Sequence, residues 1–257
     1  MVRLPDRITS RSNPWVMELK RLLLARGAKR SHTLLLGSKV ISAWTRSPEQ
    51  ARFPCEALLV QDHDVQTWSL SDAIVRVKPE LLADLAGGGS PPDSVMLCRV
   101  GPDPAGPLAD RVIVPWEIQD PGNLGAILRA AAAFGFQEAL LGPGAADPFS
   151  PKALRGSMGA AFLLSVRRVV RWPSDPGHWI ALDGGPGAIP LGEADLAEPL
   201  RLLVGNEGHG WAHTELPGAV RRVAIPIQGV ESLNAAVAAG IACFEAERRW
   251  TTSTSRT

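Results

Sequence analysis

The sequence predicts an α/β protein built on a largely parallel sheet. In the second half of the chain, short apolar runs alternate with segments of helical periodicity, and strands that alternate with helices form parallel sheets covered on both faces. The 257 residues suffice for one large domain or two modest ones. A hydrophobic content of 45% with 21% charged residues is typical of a folded chain. Ligands of such sheets bind beyond the carboxyl ends of the strands, so we expect a site there.

Two segments rich in glycine and proline, 86–93 and 101–107, interrupt the chain. Neither composition sustains a helix or a central strand. We therefore place a domain boundary near residue 93, with a small first domain over residues 1–92 and a second domain over 93–250 that begins with the apolar run 94–100. The polar residues 251–257 are predicted to be a disordered tail.

The first domain is predicted to be a small α/β unit. A helix begins at Asn13-Pro14, since proline is favoured at the first helical position, and Gly27 ends it. Strands are predicted over 33–36 and 57–60, with a helix over 40–44 between them.

The second domain alternates strands and helices more regularly, and Gly135 ends its alanine-rich first helix. Strands are predicted over 111–114, 139–141, 179–182, 200–204 and 223–227, and helices over 123–134, 151–161 and 232–250.

The formal net charge of +1 conceals an uneven distribution. Residues 1–50 contain ten Lys/Arg and three Asp/Glu, whereas the remaining residues contain 17 Lys/Arg and 23 Asp/Glu. A basic segment on an otherwise acidic chain suggests contact with a nucleic acid. A solvated helix without a partner is the alternative.

Composition also bears on compartment and metal binding. The three cysteines, Cys55, Cys98 and Cys243, lie far apart, and this spacing predicts neither a disulfide framework nor a cysteine-rich zinc site. No apolar run reaches the roughly 18 residues of a membrane span, and the first residues lack the apolar region of a secretory signal. We expect a cytoplasmic protein without a membrane segment or a metal.

The segment 119–129 reads QDPGNLGAILR. Asp-Pro-Gly predicts a turn, and Asn123 is placed to cap the helix that follows. Arg129 comes six residues later, so the helix N-terminus and Arg129 would both offer positive potential to a phosphate. An ordinary capped helix with a surface arginine is the alternative.

In the segment 202–211, LLVGNEGHGW, an apolar strand runs into three glycines and Glu207. Glycines allow the backbone to approach a ligand closely. The G-x-x-G-x-G spacing differs from the dinucleotide-binding pattern, and no Lys-Ser/Thr follows as in a P-loop. His209 and His213 lack the glutamate of a zinc-protease helix, so we predict no metal here.

In the segment 225–234, IPIQGVESLN, a strand ends at a proline and Ser232 is placed to cap the last helix. Asn234 is unfavourable near a helix start, which suggests a side chain kept for a contact, although an exposed asparagine would fit as well. The helix is apolar on nearly all sides over 235–242, and it is therefore buried against a second subunit or within the chain.

Together these segments resemble the SpoU/TrmH ribose 2′-O-methyltransferases of the SPOUT superfamily. The family pattern D-P-x-N-x-G followed by an arginine matches 120–125 with Arg129, and G-x-E-G matches 205–208. The pattern I-P-x-x-G…S-L-N before an alanine-rich helix matches 225–234, and the segment 150–160 is also similar to the family. The order and spacing of these motifs over residues 110–250 make the resemblance specific.

The resemblance implies a trefoil-knotted methyltransferase domain that binds S-adenosylmethionine largely through backbone groups, with Gly205, Ile225 and Leu233 lining the pocket. It also implies a homodimer with the site near the subunit interface. The first domain is similar to the small RNA-binding domain that many members carry upstream. Structured RNA, either ribosomal or transfer RNA, would then be the substrate.

The resemblance further implies a catalytic site of Arg129, Asn123, Glu207, Ser232 and Asn234. Arginine stays protonated in proteins, so we expect Arg129 to hold an RNA phosphate and stabilise the developing alkoxide rather than to act as general base. The two asparagines would orient Arg129 or the ribose. Glu207 would pair with Arg129 or fix its loop, and Ser232 would serve as a cap, a substrate contact or both.

By analogy with family members that have two domains, we expect methyl transfer to large-subunit ribosomal RNA. Three other functions compete with it. The first is methyl transfer to transfer RNA, because the motifs do not distinguish the two substrates. The second is a non-catalytic RNA-binding protein, which the simultaneous presence of all five site residues disfavours. The third is a nucleotide-binding hydrolase or dehydrogenase, for which no glycine-rich loop has the right spacing.

Overall fold

The computed structural model describes residues 5–24, 31–61, 74–86, 90–206, 208, 210–211, 214–216 and 220–254. The strands are β1 Arg7–Ile8, β2 His32–Leu36, β3 Cys55–Gln61, β4 Ile74–Val77, β5 Ser94–Arg99, β6 Arg111–Pro115, β7 Glu138–Leu141, β8 Ser165–Arg168, β9 His178–Leu182, β10 Ile189–Pro190, β11 Leu200–Val204 and β12 Arg221–Ala224. The α-helices are α1 Pro14–Leu24, α2 Ser38–Thr45, α3 Pro79–Leu85, α4 Pro121–Ala133, α5 Pro151–Ser157 and α6 Ala235–Thr254.

The second half of the chain forms a seven-stranded sheet in the order β10-β12-β9-β11-β6-β7-β8. All neighbouring strands in this sheet are parallel, which confirms the predicted α/β fold with a largely parallel sheet. Strand β6 shows how the sheet is covered. Ile113 packs in the core formed with α4 and α6, whereas Val112 and Val114 lie in a separate core that contains three buried tryptophans, with a fourth packed against it.

The first part of the chain forms a mixed five-stranded sheet in the order β1-β4-β3-β5-β2. Strand β5 lies between β3 and β2 and is antiparallel to both. The expectation that the run 94–100 begins the second domain, 93–250, is therefore wrong. Glycine and proline in 86–93 mark a loop, but they carry no information about which sheet the next strand joins. The second such segment, 101–107, connects the two sheets.

One buried and one partly buried arginine hold this connection against the seven-stranded sheet. Arg167 in β8 donates to the carbonyl oxygen of Gly106 at 2.9 Å. Arg201 in β11 donates to the carbonyl oxygen of Ala109 at 2.7 Å and pairs with Asp175 at 2.6 Å. Because both arginines bond to the backbone of residues 106–109, the connection packs against the seven-stranded sheet.

The two sheets share one hydrophobic core. Phe53 from the first part contacts Phe149 and Phe162 from the second, with ring centroids 4.7 and 5.0 Å apart. Across the same interface, the buried Thr33 hydroxyl donates to the carbonyl oxygen of Phe149 at 2.5 Å. Arg52 donates to the carbonyl oxygen of Val166 at 2.6 Å. The two parts therefore pack as one body.

Several predicted bounds differ from the structure. The predicted helix 151–161 is α5 followed by a short 3-10 helix, because Met158 and Gly159 adopt positive φ values of 52° and 82°. Strand β12 ends at Ala224, before the proline. Helix α6 continues to Thr254, so the prediction of a disordered tail is wrong for residues 251–254. The predicted helix end at Gly27 lies outside the described residues.

Helices α4 and α5 pack closely through two glycines. A Cβ atom on Gly125 would overlap the carbonyl oxygen of Ala153 and lie 2.8 Å from the backbone nitrogen of Ser157. One on Gly156 would lie 2.9 Å from the carbonyl oxygen of Gly122. These contacts are with backbone atoms, which cannot move without shifting a helix. The glycine of the first motif therefore sets the position of α4.

Replacing Gly125 with alanine is expected to destabilise the protein by roughly 1–3 kcal/mol, because overpacking forces the two helices apart. Thermal unfolding should shift down by about 2–4 °C per kcal/mol. Gly192→Ala is the matched control, since a Cβ atom there meets nothing within 4 Å. Equal melting temperatures for the two variants would contradict the packing role.

Candidate functional site

A cavity of about 400 Å³ opens beyond the carboxyl ends of three adjacent strands. Its walls come from the segments that follow β9, β11 and β12, which lie side by side and parallel. Because parallel strands end at one edge of a sheet, segments distant in sequence meet here. Its lining residues include Leu182, Asp183, Gly184, Val204, Gly205, Asn206, Trp211, Ile225, Ile227, Glu231, Ser232, Leu233 and Ala235.

The glycine-rich segment after β11 folds back on itself at the cavity wall. A Cβ atom on Gly205 would lie 2.8 Å from the Trp211 ring and 3.1 Å from the carbonyl oxygen of Gly210. The indole nitrogen of Trp211 donates to the carbonyl oxygen of Leu182 at 2.9 Å, which ties this segment to the end of β9. Gly205 therefore allows the tryptophan to close one wall.

Two asparagines connect the cavity rim to α4. The Asn234 side-chain oxygen accepts hydrogen bonds from the backbone nitrogens of Ala236 at 2.9 Å and Val237 at 3.2 Å, so Asn234 caps α6. The Asn234 side-chain nitrogen donates to the side-chain oxygen of Asn123 at 3.3 Å. An amide accepts through its oxygen and donates through its nitrogen, so one side chain makes both kinds of contact. The third motif is thus joined to the first through one side chain.

The predicted caps are corrected by this arrangement. Asn234, not Ser232, caps the last helix, which begins at Ala235. Asp120, not Asn123, caps α4, since its carboxylate accepts from the backbone nitrogens of Gly122 at 2.7 Å and Asn123 at 3.0 Å. Proline at the first helical position shifts the helix start upstream of Asn123, which leaves the Asn123 side chain available to Asn234.

The Asp120 carboxylate also pairs with Lys152 at the start of α5. A hydrogen bond from Lys152, together with those from the α4 backbone, lowers the pKa of Asp120 below its usual value. A negative cap at a helix N-terminus is stabilising. The turn before α4 is therefore held by both helices.

Arg129 lies two turns into α4 and is exposed. It follows Gly122 and Gly125 at helical spacing, on the side of α4 that packs against α5. Within the described part of the chain, the guanidinium forms no hydrogen bond or ion pair. It is thus a cation available to a ligand.

The structure places most of the predicted site residues in two groups. Gly205, Ile225, Leu233 and Ser232 line the cavity, and Asn123 and Asn234 are hydrogen-bonded beside it. Arg129 lies on the helix that carries Asn123. Glu207, His209 and His213 lie outside the described residues, so their expected roles remain predictions.

The cavity also contains residues that the sequence analysis missed. Asp183 and Gly184 directly follow β9, whereas Trp211 follows β11 and Glu231 follows β12. The rule that ligands bind after parallel strands would have indicated the residues after β9. In the described parts of the chain, no group of three or more His, Cys, Asp or Glu side chains is placed to hold a metal. No described helix is long and apolar enough to cross a membrane.

Comparison with known proteins identifies relatives along nearly the whole chain. The model of the SpoU rRNA Methylase family matches residues 110–244. An uncharacterised tRNA/rRNA methyltransferase of Synechocystis sp. is 31% identical over 96% of both chains. The 23S rRNA (guanosine(2553)-2′-O)-methyltransferase RlmP of Bacillus subtilis is 29% identical over 92% of this chain and 97% of its own.

Two similar solved structures carry a bound ligand. The AdoMet-bound rRNA methyltransferase of Sinorhizobium meliloti has a TM-score of 0.77 at 26% identity, and the match covers 95% of this chain and 97% of that one. The SpoU methyltransferase AviRb of Streptomyces viridochromogenes, in complex with AdoMet, has the same TM-score and identity over 93% and 100% of the two chains.

The fold, the motifs and these relatives define an RNA methyltransferase of the α/β class. The chain belongs to the SpoU rRNA Methylase family.

Replacing Asn234 with alanine is expected to lower the free energy of unfolding by about 1 kcal/mol, because α6 loses its cap. Asn234→Asp should retain that stability, since aspartate caps equally well. Ser232→Ala should have no comparable effect if Ser232 is not the cap. Chemical denaturation of the three variants measures this, and a larger loss for Ser232→Ala than for Asn234→Ala would contradict the assignment.

Proposed function

We propose that the protein transfers a methyl group from S-adenosylmethionine to a ribose 2′-hydroxyl of structured RNA, with large-subunit ribosomal RNA as the first candidate. The observation that carries the proposal is the meeting of three motifs at one place. Gly205, Ile225 and Leu233 line one cavity, and Asn234 at its edge is bonded to the helix that carries Arg129.

The relatives support the chemistry and the substrate class. RlmP is by name a 2′-O-methyltransferase of 23S rRNA and aligns with 92% of this chain. Two related structures contain AdoMet. Transfer RNA remains the alternative substrate, because the Synechocystis relative is described as a tRNA/rRNA methyltransferase.

The cavity is suited to a nucleoside-containing methyl donor. Its volume of about 400 Å³ lies in the usual range for small-molecule sites. Val204, Ile225 and Leu233 offer apolar surface, and the Glu231 carboxylate offers a partner for a cationic group. The Asp183 carboxylate already pairs with Arg222 at 2.8 Å. Gly205 lets the backbone approach closely. When bound, the donor supplies a methyl carbon activated by the adjacent positive sulfur.

The protein side chains would position the RNA and stabilise the negative charge that develops on the ribose 2′-oxygen. Arg129 is exposed on α4, and its planar guanidinium is suited to a phosphate. As the oxygen of the ribose 2′-hydroxyl gains negative charge, Arg129 would stabilise that charge. A phosphate oxygen or water would accept the proton, because arginine stays protonated.

Asn234 is better described as a positioning residue than as a catalytic one. Both ends of its amide are used, one for capping α6 and the other for Asn123. It would fix the position of Asn123 relative to the cavity and, through α4, also the position of Arg129. Glu207 keeps the role implied by the motifs. Ser232, which does not cap α6, would act as a substrate contact, since it lines the cavity.

The first part of the chain is proposed to bind RNA. Lys39 is exposed on α2, Arg46 is exposed directly after it, and Arg155 is exposed on α5. The segment directly after α5 packs against α2, since a Cβ atom on Gly159 would lie 2.7 Å from that of Ala43. Exposed cations of both parts would thus be available to RNA phosphates.

The protein is further proposed to be a trefoil-knotted homodimer, as the motifs imply. Helix α6 supports the dimer, because Val237, Ile241 and Phe244 recur at helical spacing and are 51%, 38% and 53% exposed. An exposed apolar stripe on a helix is typical of a surface covered by a partner.

Replacing Arg129 with alanine is expected to lower kcat for RNA methylation by about 10²–10³-fold, because a charge-stabilising donor is lost. Arg129→Lys should recover only part of the rate, since it keeps charge but not the planar fork. Affinity for S-adenosylmethionine should be unchanged. Arg171→Ala, which removes another exposed arginine, is the control. Turnover of Arg129→Lys near the wild-type value would contradict the proposed geometry.

Ile241→Glu is expected to convert the protein from a dimer to a monomer, because it places a charge in the α6 stripe. Val170→Glu is the matched control, since Val170 is an isolated apolar side chain that is 89% exposed. Sedimentation equilibrium measures both against the 27.4 kDa chain mass. A wild-type protein that sediments as a monomer at micromolar concentration would overturn the dimer.

A further inference from the structure

Two of the three cysteines are neighbours across strands, although they are distant in sequence. Cys55 is the first residue of β3, and Cys98 lies directly opposite it in the antiparallel strand β5. The sequence analysis expected no paired cysteines. Strand pairing, which the sequence does not reveal, brings these two together.

The backbone pairing shows which kind of position they occupy. The Arg99 nitrogen donates to the carbonyl oxygen of Pro54 at 3.0 Å, so the adjacent pair, Cys55 and Cys98, falls at a non-hydrogen-bonded position. Opposite Cα atoms at such positions are about 4.5 Å apart, and their side chains approach closely. A disulfide accepts Cα separations of about 4.4–6.8 Å, so no large backbone movement is needed to form one.

The two thiols differ in access to solvent. Cys55 is partly exposed, whereas Cys98 is fully buried in the core shared by the two sheets. A reagent in solution therefore reaches Cys55 first. Cys243 is also fully buried, in α6, where burial raises its pKa above the usual range.

The local hydrogen bonds favour a reactive thiolate at Cys55. A hydrogen bond from the Cys98 thiol, supported by one from the Ala57 backbone nitrogen, lowers the pKa of Cys55 against the opposing effects of burial and Glu56. The same contact and burial raise the pKa of Cys98. The thiolate is the nucleophilic form of cysteine. Cys55 is therefore the activated member of the pair, and the Cys98 thiol lies beside it.

We propose that Cys55 and Cys98 form a peroxide-reactive site that closes to a cross-strand disulfide. The Cys55 thiolate attacks the terminal oxygen of a hydroperoxide, breaks the O–O bond and becomes a sulfenic acid, and the peroxide leaves as water or an alcohol. The Cys98 sulfur then attacks the Cys55 sulfur and expels the oxygen as water. The two thiols are oxidised, the peroxide is reduced by two electrons, and the two thiol protons end in the products.

The test treats the full-length protein with hydrogen peroxide and maps thiols by mass spectrometry after blocking with an alkylating reagent. The expected product has lost two hydrogen atoms, contains a peptide that joins Cys55 to Cys98, retains a free Cys243 thiol, and is restored by a dithiol reductant. Three free thiols, a cross-link between two chains, or Cys55 ending as a sulfinic acid would each overturn the proposal.

Variants separate the two steps. Cys98→Ala should stop at a Cys55 sulfenic acid that a dimedone-type reagent traps, and Cys55→Ser should leave Cys98 unreactive. Cys243→Ser should behave as the wild type. Oxidation of Cys98 in the absence of Cys55 at the wild-type rate would contradict the order of steps. The wild-type peptide map decides the proposal by itself if a buried substitution prevents folding.

Discussion

The common direction of the seven strands is the constraint on which the rest of the structure depends. Strands β9, β11 and β12 are adjacent and parallel, so their carboxyl ends lie at one edge. The segments that follow them begin at Asp183, Gly205 and Ile225. They are distant in sequence, yet they enclose one cavity. Reversal of any one of these strands would move its loop to the other edge and open the site.

Close packing then fixes what surrounds the cavity. Gly125 and Gly156 let α4 and α5 approach until their backbones touch, and Asp120 joins the start of α4 to Lys152 of α5. Asn234 provides the remaining connection, because it caps α6 and bonds to Asn123. Residues that resemble a catalytic set in sequence thus divide into some that shape the site and others, such as Arg129, that are exposed on its surroundings.

The sequence predicted the fold class and the family, because strand-helix alternation and motif spacing are local signals. It also predicted that Gly205, Ile225 and Leu233 belong together, through the resemblance. It misassigned β5, since a loop composition does not show which strands pair. It also misassigned both helix caps, because several nearby polar residues were able to cap and only the backbone positions of Pro121 and Ala235 decide between them. The pairing of Cys55 with Cys98 was inaccessible for the same reason as the placement of β5.

The most direct test of the central claim is the chemical position of the transferred methyl group. Purified protein would be incubated with methyl-labelled S-adenosylmethionine and with two unmodified RNA pools, one ribosomal and one transfer, followed by digestion to nucleosides. We expect label on a ribose 2′-oxygen in the ribosomal pool. Label on a base, or no label in either pool despite binding of the methyl donor, would contradict it.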